Sequence, residues 1–284
     1  MSRITQPGAT SPIEVYTTNS NFTGTYNYAD QSFDTYVGQK FTTSDGREFV
    51  LVQNGGTALA AGKLVQSVPN TANHIGLVVT AFTAYSANGN VPASVALTCG
   101  GTGVLPNEYA GGYAIVSTLT GLGQTLKIAS NTGQTATTGS TTVTFENPDG
   151  QNMTALDTTS TVSLFRNTYG SNSGGTASTG VVNFSTNGVV VMPTTVTGKI
   201  VGASIYVIPA STSTFASYGL IQTKGVAALL NHSSTAIGLD VGNSTQSTPV
   251  AGAVETYSVA NNSRVGRAVQ AGTDTNYNLV DLAI

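Results

Sequence analysis

Two histidines, His74 and His232, are the side chains in this 284-residue sequence best suited to act as bases near neutral pH. His74 closes the run Asn70-Thr-Ala-Asn-His74, and His232 sits in Leu230-Asn-His-Ser-Ser234. A serine nucleophile needs such a base, itself oriented by a carboxylate. Neither histidine lies near a Gly-x-Ser-x-Gly elbow, so both are expected to be polar loop residues. Glycoside hydrolysis needs two carboxylates at a set separation and no local motif. Its better-placed candidates are Glu108, Glu146, Asp149, Asp157, Asp240 and Glu255, most of them in turn-like contexts, and the sequence has no Trp to stack a sugar. Asp274-Thr-Asn-Tyr-Asn278 opens like a calcium loop, but Leu279 stands where the loop needs Gly and Ile284 is reached before a closing Glu. It is expected to be a polar turn before the last strand. Cys99 is the one cysteine, which excludes an internal disulfide and a cysteine-ligated metal, and it is expected to be a small buried residue. Gly100-Gly-Thr-Gly103 and Gly121-Leu-Gly123 lack the Lys-Ser/Thr ending of a phosphate loop. The expectation is a protein that is not an enzyme and has no metal or cofactor.

Composition points the same way. Charged residues make up 8 % of the chain, with 10 Lys and Arg, 13 Asp and Glu and a net charge of −3, against about a quarter in ordinary soluble domains. Ten scattered cations cannot form the basic footprint that nucleic acid requires. A chain that is 39 % hydrophobic is not a disordered one. Ser and Thr, about a quarter of the residues, replace the missing charge. The opening Met1-Ser-Arg-Ile-Thr-Gln-Pro-Gly8 lacks the apolar core of a secretory signal. The apolar-leaning stretch Ile200–Ala210 is about half the length of a membrane-spanning helix. Synthesis in the cytoplasm without a membrane partner is expected.

The elements that would position any site are strands. Val, Thr, Ile and Tyr dominate in runs of four to eight between Gly, Asn, Asp and Ser clusters, the pattern of a barrel or sandwich. Strands are expected at Glu48–Gln53, Leu64–Val68, Gly76–Phe82, Tyr113–Thr118, Thr141–Glu146, Thr161–Phe165, Val189–Met192, Ala203–Ile208 and Val280–Ile284. Ser44-Asp-Gly46 and Pro148-Asp-Gly150 read as hairpin turns. Helical turns are expected only near Ala227–Asn231 and Met153–Asp157. The fold class is all-β, with antiparallel β-barrel or sandwich lobes, an extended N-terminal arm and almost no helix.

Residues 1–45 form that arm, or a first irregular strand pair; 46–170 an N-terminal β lobe; 171–180, the Gly/Ser-rich SNSGGTASTG, a flexible loop; and 181–284 a C-terminal β-barrel lobe. In the arm Tyr16, Phe22, Tyr26, Tyr28, Phe33 and Tyr36 alternate with small polar residues and are candidate partner contacts, because aromatics give large contact area at low entropic cost. Ile75-Gly, Val201-Gly and Val265-Gly each open a similar small/apolar strand. A Gly there suits a bulge or a close crossing of chains, as in duplicated barrel halves.

Several segments resemble tailed-bacteriophage virion structural proteins of the head-decoration or cement type. They are Asp45-Gly-Arg-Glu-Phe-Val-Leu-Val-Gln-Asn54, Ala58-Leu-Ala-Ala-Gly-Lys-Leu-Val-Gln66, Asn107-Glu-Tyr-Ala-Gly-Gly-Tyr113, Tyr218-Gly-Leu-Ile-Gln-Thr-Lys-Gly-Val-Ala227, Pro249-Val-Ala-Gly-Ala-Val254 and Val265-Gly-Arg-Ala-Val269. Their order spans most of the chain, outside the arm and the loop after Ser171, and Leu220 stands where the family often has Trp.

The resemblance implies a non-enzymatic virion protein on the capsid surface, bound to the major capsid protein and to copies of itself, with a homo-oligomer such as a trimer, and no nucleic acid or membrane. The competing readings are a phage fibre, knob or receptor-binding module, and a tail or adaptor structural protein.

Overall fold

The computed structural model describes residues 37–86, 91–134, 139–147, 150, 152–170, 184–213, 216–245, 248–259 and 262–284. The six arm aromatics Tyr16, Phe22, Tyr26, Tyr28, Phe33 and Tyr36 and the loop at 171–180 lie outside these residues, as do Pro148 and Asp149 of the second expected turn. The described chain is all-β and forms two compact units, one of Pro69–Asn187 and one built from the segments on either side, up to Val68 and from Gly188 to Ile284.

The inserted unit is a closed antiparallel barrel. Its strands are β4 (Leu77–Thr83), β5 (Ser94–Thr98), β6 (Tyr113–Thr118), β7 (Thr125–Asn131), β8 (Ser140–Phe145) and β9 (Thr161–Phe165), in the spatial order β4-β5-β8-β7-β6-β9. Alternation drives the closure. In β5 Val95 and Leu97 are buried, and in β8 Thr141, Val143 and Phe145 are buried, while the residues between them face outward. One apolar face per strand packs into a single core with Val116, Ile128 and Leu164, and closure leaves no strand edge unpaired.

The outer segments build one curled ten-stranded sheet from β1 (Lys40–Thr42), β2 (Glu48–Gln53), β3 (Lys63–Gln66), β10 (Val190–Val191), β11 (Ile200–Ser204), β12 (Tyr218–Leu230), β13 (Asp240–Asn243), β14 (Val254–Thr256), β15 (Arg264–Ala268) and β16 (Tyr277–Ala283). Hydrogen bonding follows the path β10-β3-β11-β12-β16-β15-β13-β14, and β2 joins β12 and carries β1. The Ser44-Asp-Gly46 turn connects β1 to β2, with Gly46 at φ +82 as such a turn requires. The long β12 changes register between Gln222 and Lys224, pairing first with β2 and then with β16. The Gln222 amide holds that bend by donating to the carbonyls of Lys224 (3.0 Å), Gly225 (2.9 Å) and Val226 (3.1 Å).

Four expectations need correction. Contiguous lobes at 46–170 and 181–284 are not how the strands pair, because β2 and β3 join β12 and β11 across the insertion. Residues 40–42, for which the sequence leaves an arm or first irregular strands open, form strand β1 and need no such correction. Ala227–Asn231 is no helical turn: its Ala and Leu residues have helical propensity, but they pair with β16 in strict register from Lys224↔Ala283 to Leu230↔Tyr277, and tertiary pairing overrides propensity. Residues 153–157 have no regular structure, and the strand expected at Ala203–Ile208 lies at Ile200–Ser204.

The three Gly-led repeats fall in different environments and do not mark duplicated halves. Gly202 sits at a bulge with φ +157, and Gly266 lies against a neighbouring backbone, whereas a side chain at Gly76 would meet open space. A Cβ on Gly266 would stand 2.2 Å from the Asp281 carbonyl oxygen. Gly266→Ala is therefore expected to cost about 3 kcal/mol in urea unfolding. Gly76→Ala, at φ +69, costs only about 1 kcal/mol of left-handed strain. Equal losses would contradict the close-approach account.

Candidate interaction face

The side chains that could do chemistry are turned to holding structure. His74 is not a loop histidine but fully buried in a short 3-10 turn, Ala72–His74. Its Nε2 lies 3.1 Å from the Thr102 carbonyl and must carry the proton, so Nδ1 accepts the Tyr109 hydroxyl. Burial pushes the Tyr109 phenol up, so its hydroxyl keeps the proton it donates. Beside it, Glu108 Oε1 accepts from Arg166 Nε at 3.0 Å and from Nη2, and Oε2 accepts from the Leu105 amide at 2.8 Å. Arg166 also reaches the Pro69 carbonyl (3.3 Å) and Thr71 Oγ1 (3.1 Å). The pair thereby ties the residue after the barrel's last strand to the residues where the chain enters the barrel.

His232 is likewise buried, together with Ser244 and Glu255. The trio has the residue types of a hydrolase triad and the wrong geometry. Ser244 Oγ (2.6 Å) and Glu255 Oε2 (3.3 Å) both meet Nδ1, whereas a relay needs them on opposite ring nitrogens. Ser244 Oγ also accepts the Val250 amide, and Glu255 Oε1 accepts from Thr245 and Asn262, so the trio fastens the chain between β13 and β14.

The other carboxylates lie apart. Glu146 pairs with Lys127 at 3.3 Å, Asp240 with Arg264 and Arg267 at 3.1 and 3.3 Å, and Asp149 lies outside the described residues. Asp157 accepts from Thr159 and Thr120, which hold its carboxyl down at about 2. Asp274 Oδ1 accepts the Ser233 amide, while Asn278 is buried in β16, so the calcium-like segment does not gather its oxygens. Among the described residues no group of three or more His, Cys, Asp or Glu could hold a metal ion. Cys99 is buried, and burial pushes its thiol up.

What the curled sheet leaves open is a face. On β16 Asn278, Val280 and Leu282 point into the core, and Tyr277, Leu279 and Asp281 point out. Register places Ala228 and Val226 of β12 beside Leu279 and Asp281, Arg267 of β15 lies opposite Asp281 on the other side, and the amide of Val269, one residue past β15, donates to the Leu279 carbonyl. Val226, Val269, Tyr277 and Leu279 are all exposed. The Tyr277 ring lies against the bare backbone of Gly62, where any Cβ would clash at 2.3 Å. At one end of the apolar strip a groove is lined by Asp45, Arg47, Lys224 and Asp281 with Gly225, Val226 and Val269. Arg47 bonds Asp45 at 2.7 Å and Lys224 bonds Glu48 at 3.1 Å, so these cations already have partners.

Reading the sequence for catalytic types missed this face, although a signal was present. Val226-Ala-Ala-Leu-Leu230 is apolar at both parities, and in Tyr277–Leu282 the apolar Tyr277 and Leu279 alternate with Val280 and Leu282. A strand apolar on both sides is one expected to be covered on both.

Two outcomes follow for the anchored carboxylates. Glu108→Gln leaves the half-buried Arg166 without its counter-charge and is expected to cost about 3 kcal/mol of barrel stability in denaturant unfolding. For Asp157, the folded carboxyl titrates below the unfolded one, so its stabilisation is complete above the ordinary carboxylate range and lost as pH falls through about 2. Wild type should melt above Asp157→Asn at pH 7, with the gap closing between about pH 4 and pH 2; a pH-independent gap would contradict the pairing.

Compared with protein-family models, curated proteins and solved structures, the chain shows no match.

Proposed function

We propose that this chain is a non-enzymatic virion structural protein that binds the outside of a phage capsid and cements adjacent capsid subunits. The observation that carries the reading is the row of exposed apolar side chains on the outward face of β12 and β16, with Val269 just past β15, opposite a complete core. Exposed Val226, Val269, Tyr277 and Leu279 gain on the order of 25 cal/mol for each Å² that a partner covers. The ordered resemblance to decoration-type proteins supplies the partner: the major capsid protein and copies of the chain itself.

The supporting physics is that of a passive clamp. A surface poor in charge loses little attraction when salt screens it. Many weak contacts repeated over a shell add up through effective concentration. The buried histidines and the ionic pairs serve to stiffen the two units, which suits a part that bears load.

The experiment is a binding assay of the purified chain on tailless, DNA-filled heads that lack it. Wild type is expected to bind with little change between 50 mM and 500 mM salt. Leu279→Asp, which alters an exposed position, should keep its melting temperature and lose at least about tenfold in affinity. Binding only to tails, or an unchanged Leu279→Asp, would overturn the reading.

A further inference from the structure

The outward face of the sheet carries a charge pattern that its own fold leaves open. Among the described residues Asp281 is the one Asp or Glu side chain with no ion pair or hydrogen bond; the others each meet a cation, a hydroxyl or a backbone amide. It stands in the apolar row, with Leu279 two residues before it on β16 and Val226 beside it on β12. Directly opposite on β15 is Arg267. Arg267 turns away to Asp240, which it bonds at 3.3 Å, and Asp240 is already held by Arg264 at 3.1 Å. Two guanidiniums thus share one carboxylate, and the Arg267 side chain is 63 % exposed, while the carboxylate across from it lacks a cation. Arg47 and Lys224 line the same groove as Asp281, but each holds a different carboxylate.

This pattern restricts what can cover the face. An apolar cover would strand the Asp281 charge away from water with no partner, a cost that the flanking apolar side chains do not offset. An anionic cover is repelled. The cover must bring a cation over Asp281 and a carboxylate over Arg267, with apolar side chains one row along. Those rows are fixed by pairing: Arg267 lies beside Asp281, and Val269 beside Leu279, whose carbonyl accepts the Val269 amide at 2.8 Å. A two-fold axis parallel to the strands and midway between β15 and β16 exchanges the two members of each row. It lays Asp281 of one copy over Arg267 of the other, and Leu279 over Val269. An axis between β12 and β16 would instead lay Asp281 over Val226. Charge therefore selects both the partner and the axis.

We infer that the outward face of β15 and β16 is closed by a second copy of this chain, in a two-fold contact that pairs Asp281 with Arg267 and Leu279 with Val269. In such an isologous contact every pair occurs twice. The inference deepens the reading above by naming the occupant of its face, and it rests on that reading's premise that the face is covered. Stacked sheets cross at about 30°, and this sheet curls around its core, so contact is confined to a central strip. A strip two strands wide lies at the small end of specific interfaces, which gives a micromolar dimer in solution. Copies held close together on a larger assembly would pair more fully.

The test is sedimentation velocity of the full chain, with a melting curve for each variant. Wild type is expected as a monomer–dimer equilibrium with a midpoint on the order of 10 µM. Asp281→Lys and Arg267→Glu each bring like charges together across the axis, so either variant alone should be monomeric at an unchanged melting temperature. Mixed in equal amounts they should dimerise again, because each introduced charge then meets its opposite on the other chain. Asp281→Asn, which keeps the side chain's shape, should weaken the wild-type dimer about tenfold and serves if a reversal fails to fold. A monomeric wild type, a trimer, a dimer indifferent to these substitutions, or a mixture that stays monomeric would overturn the two-fold contact. Monomeric wild type that still binds undecorated DNA-filled heads would do so and leave the shell-binding reading standing. A wild-type dimer that fails to bind heads would overturn the shell-binding reading and leave the contact standing.

Discussion

Loops that cross between strands bury backbone groups, and each one left unpaired costs about 1–3 kcal/mol. In this chain uncharged side chains meet that demand. Asn54 Nδ2 donates to the carbonyls of Thr57, Ile208 and Pro209, and Ser211 Oγ bonds the Asn54 carbonyl in return. Segments more than 150 residues apart are joined there without a single charge. Gln66 and Ser67 do the same to Thr197 and Lys199 (2.9 and 3.0 Å), locking the outer unit just before and after the stretch of chain that forms the barrel. Within the barrel the pair of buried Glu108 and half-buried Arg166 performs the equivalent closure from Arg166 back to Pro69 and Thr71. The fold depends on these side-chain-to-backbone bonds, because its strands alone do not fix where the chain leaves one unit and returns.

The same economy of charge shapes the surface. Asp240 is shared by Arg264 and Arg267, Lys224 is held by Glu48 and Arg47 by Asp45, so much of the small charge complement is already neutralised in place. What such a surface presents to a partner is hydroxyls, amides and apolar side chains. The outward row of Val226, Val269, Tyr277 and Leu279 and the leucines of the β6–β7 turn are where that presentation is most apolar. Burial of these groups depends little on ionic strength, which connects a sequence poor in charge to the proposed role in assembly.

How much of this could be read from the sequence varied with the range of the interaction. Glu48–Gln53, Tyr113–Thr118 and Thr161–Phe165 were legible to the residue, since each is a run of β-formers bounded on at least one side by a turn residue, Asn54, Gly112 and Ser160. The Asp45-Gly46 turn was legible because its chemistry is local. The division into units was not, because pairing of β2 and β3 with strands more than 130 residues later leaves no local trace. The strand at Ala227–Leu230 was hidden by residues of helical propensity that only the partner β16 overrides. His74 and His232 looked like loop residues because what buries them, Tyr109 and Thr102 in one case and Ser244 and Glu255 in the other, is brought up from elsewhere in the chain. The double-sided apolar character of β12 and β16 was visible throughout, and its meaning emerged only once one of the two sides proved to be the core.

The central claim, that the outward face of β12, β15 and β16 is buried by a shell partner, is tested most directly by image reconstruction of an intact particle carrying the chain. The account predicts density for the curled sheet on the outside of the head, with Leu279, Val269 and Tyr277 against a capsid subunit or a second copy. A reconstruction in which the chain sits on the head with this face open to solvent, or is found only on the tail, would contradict it.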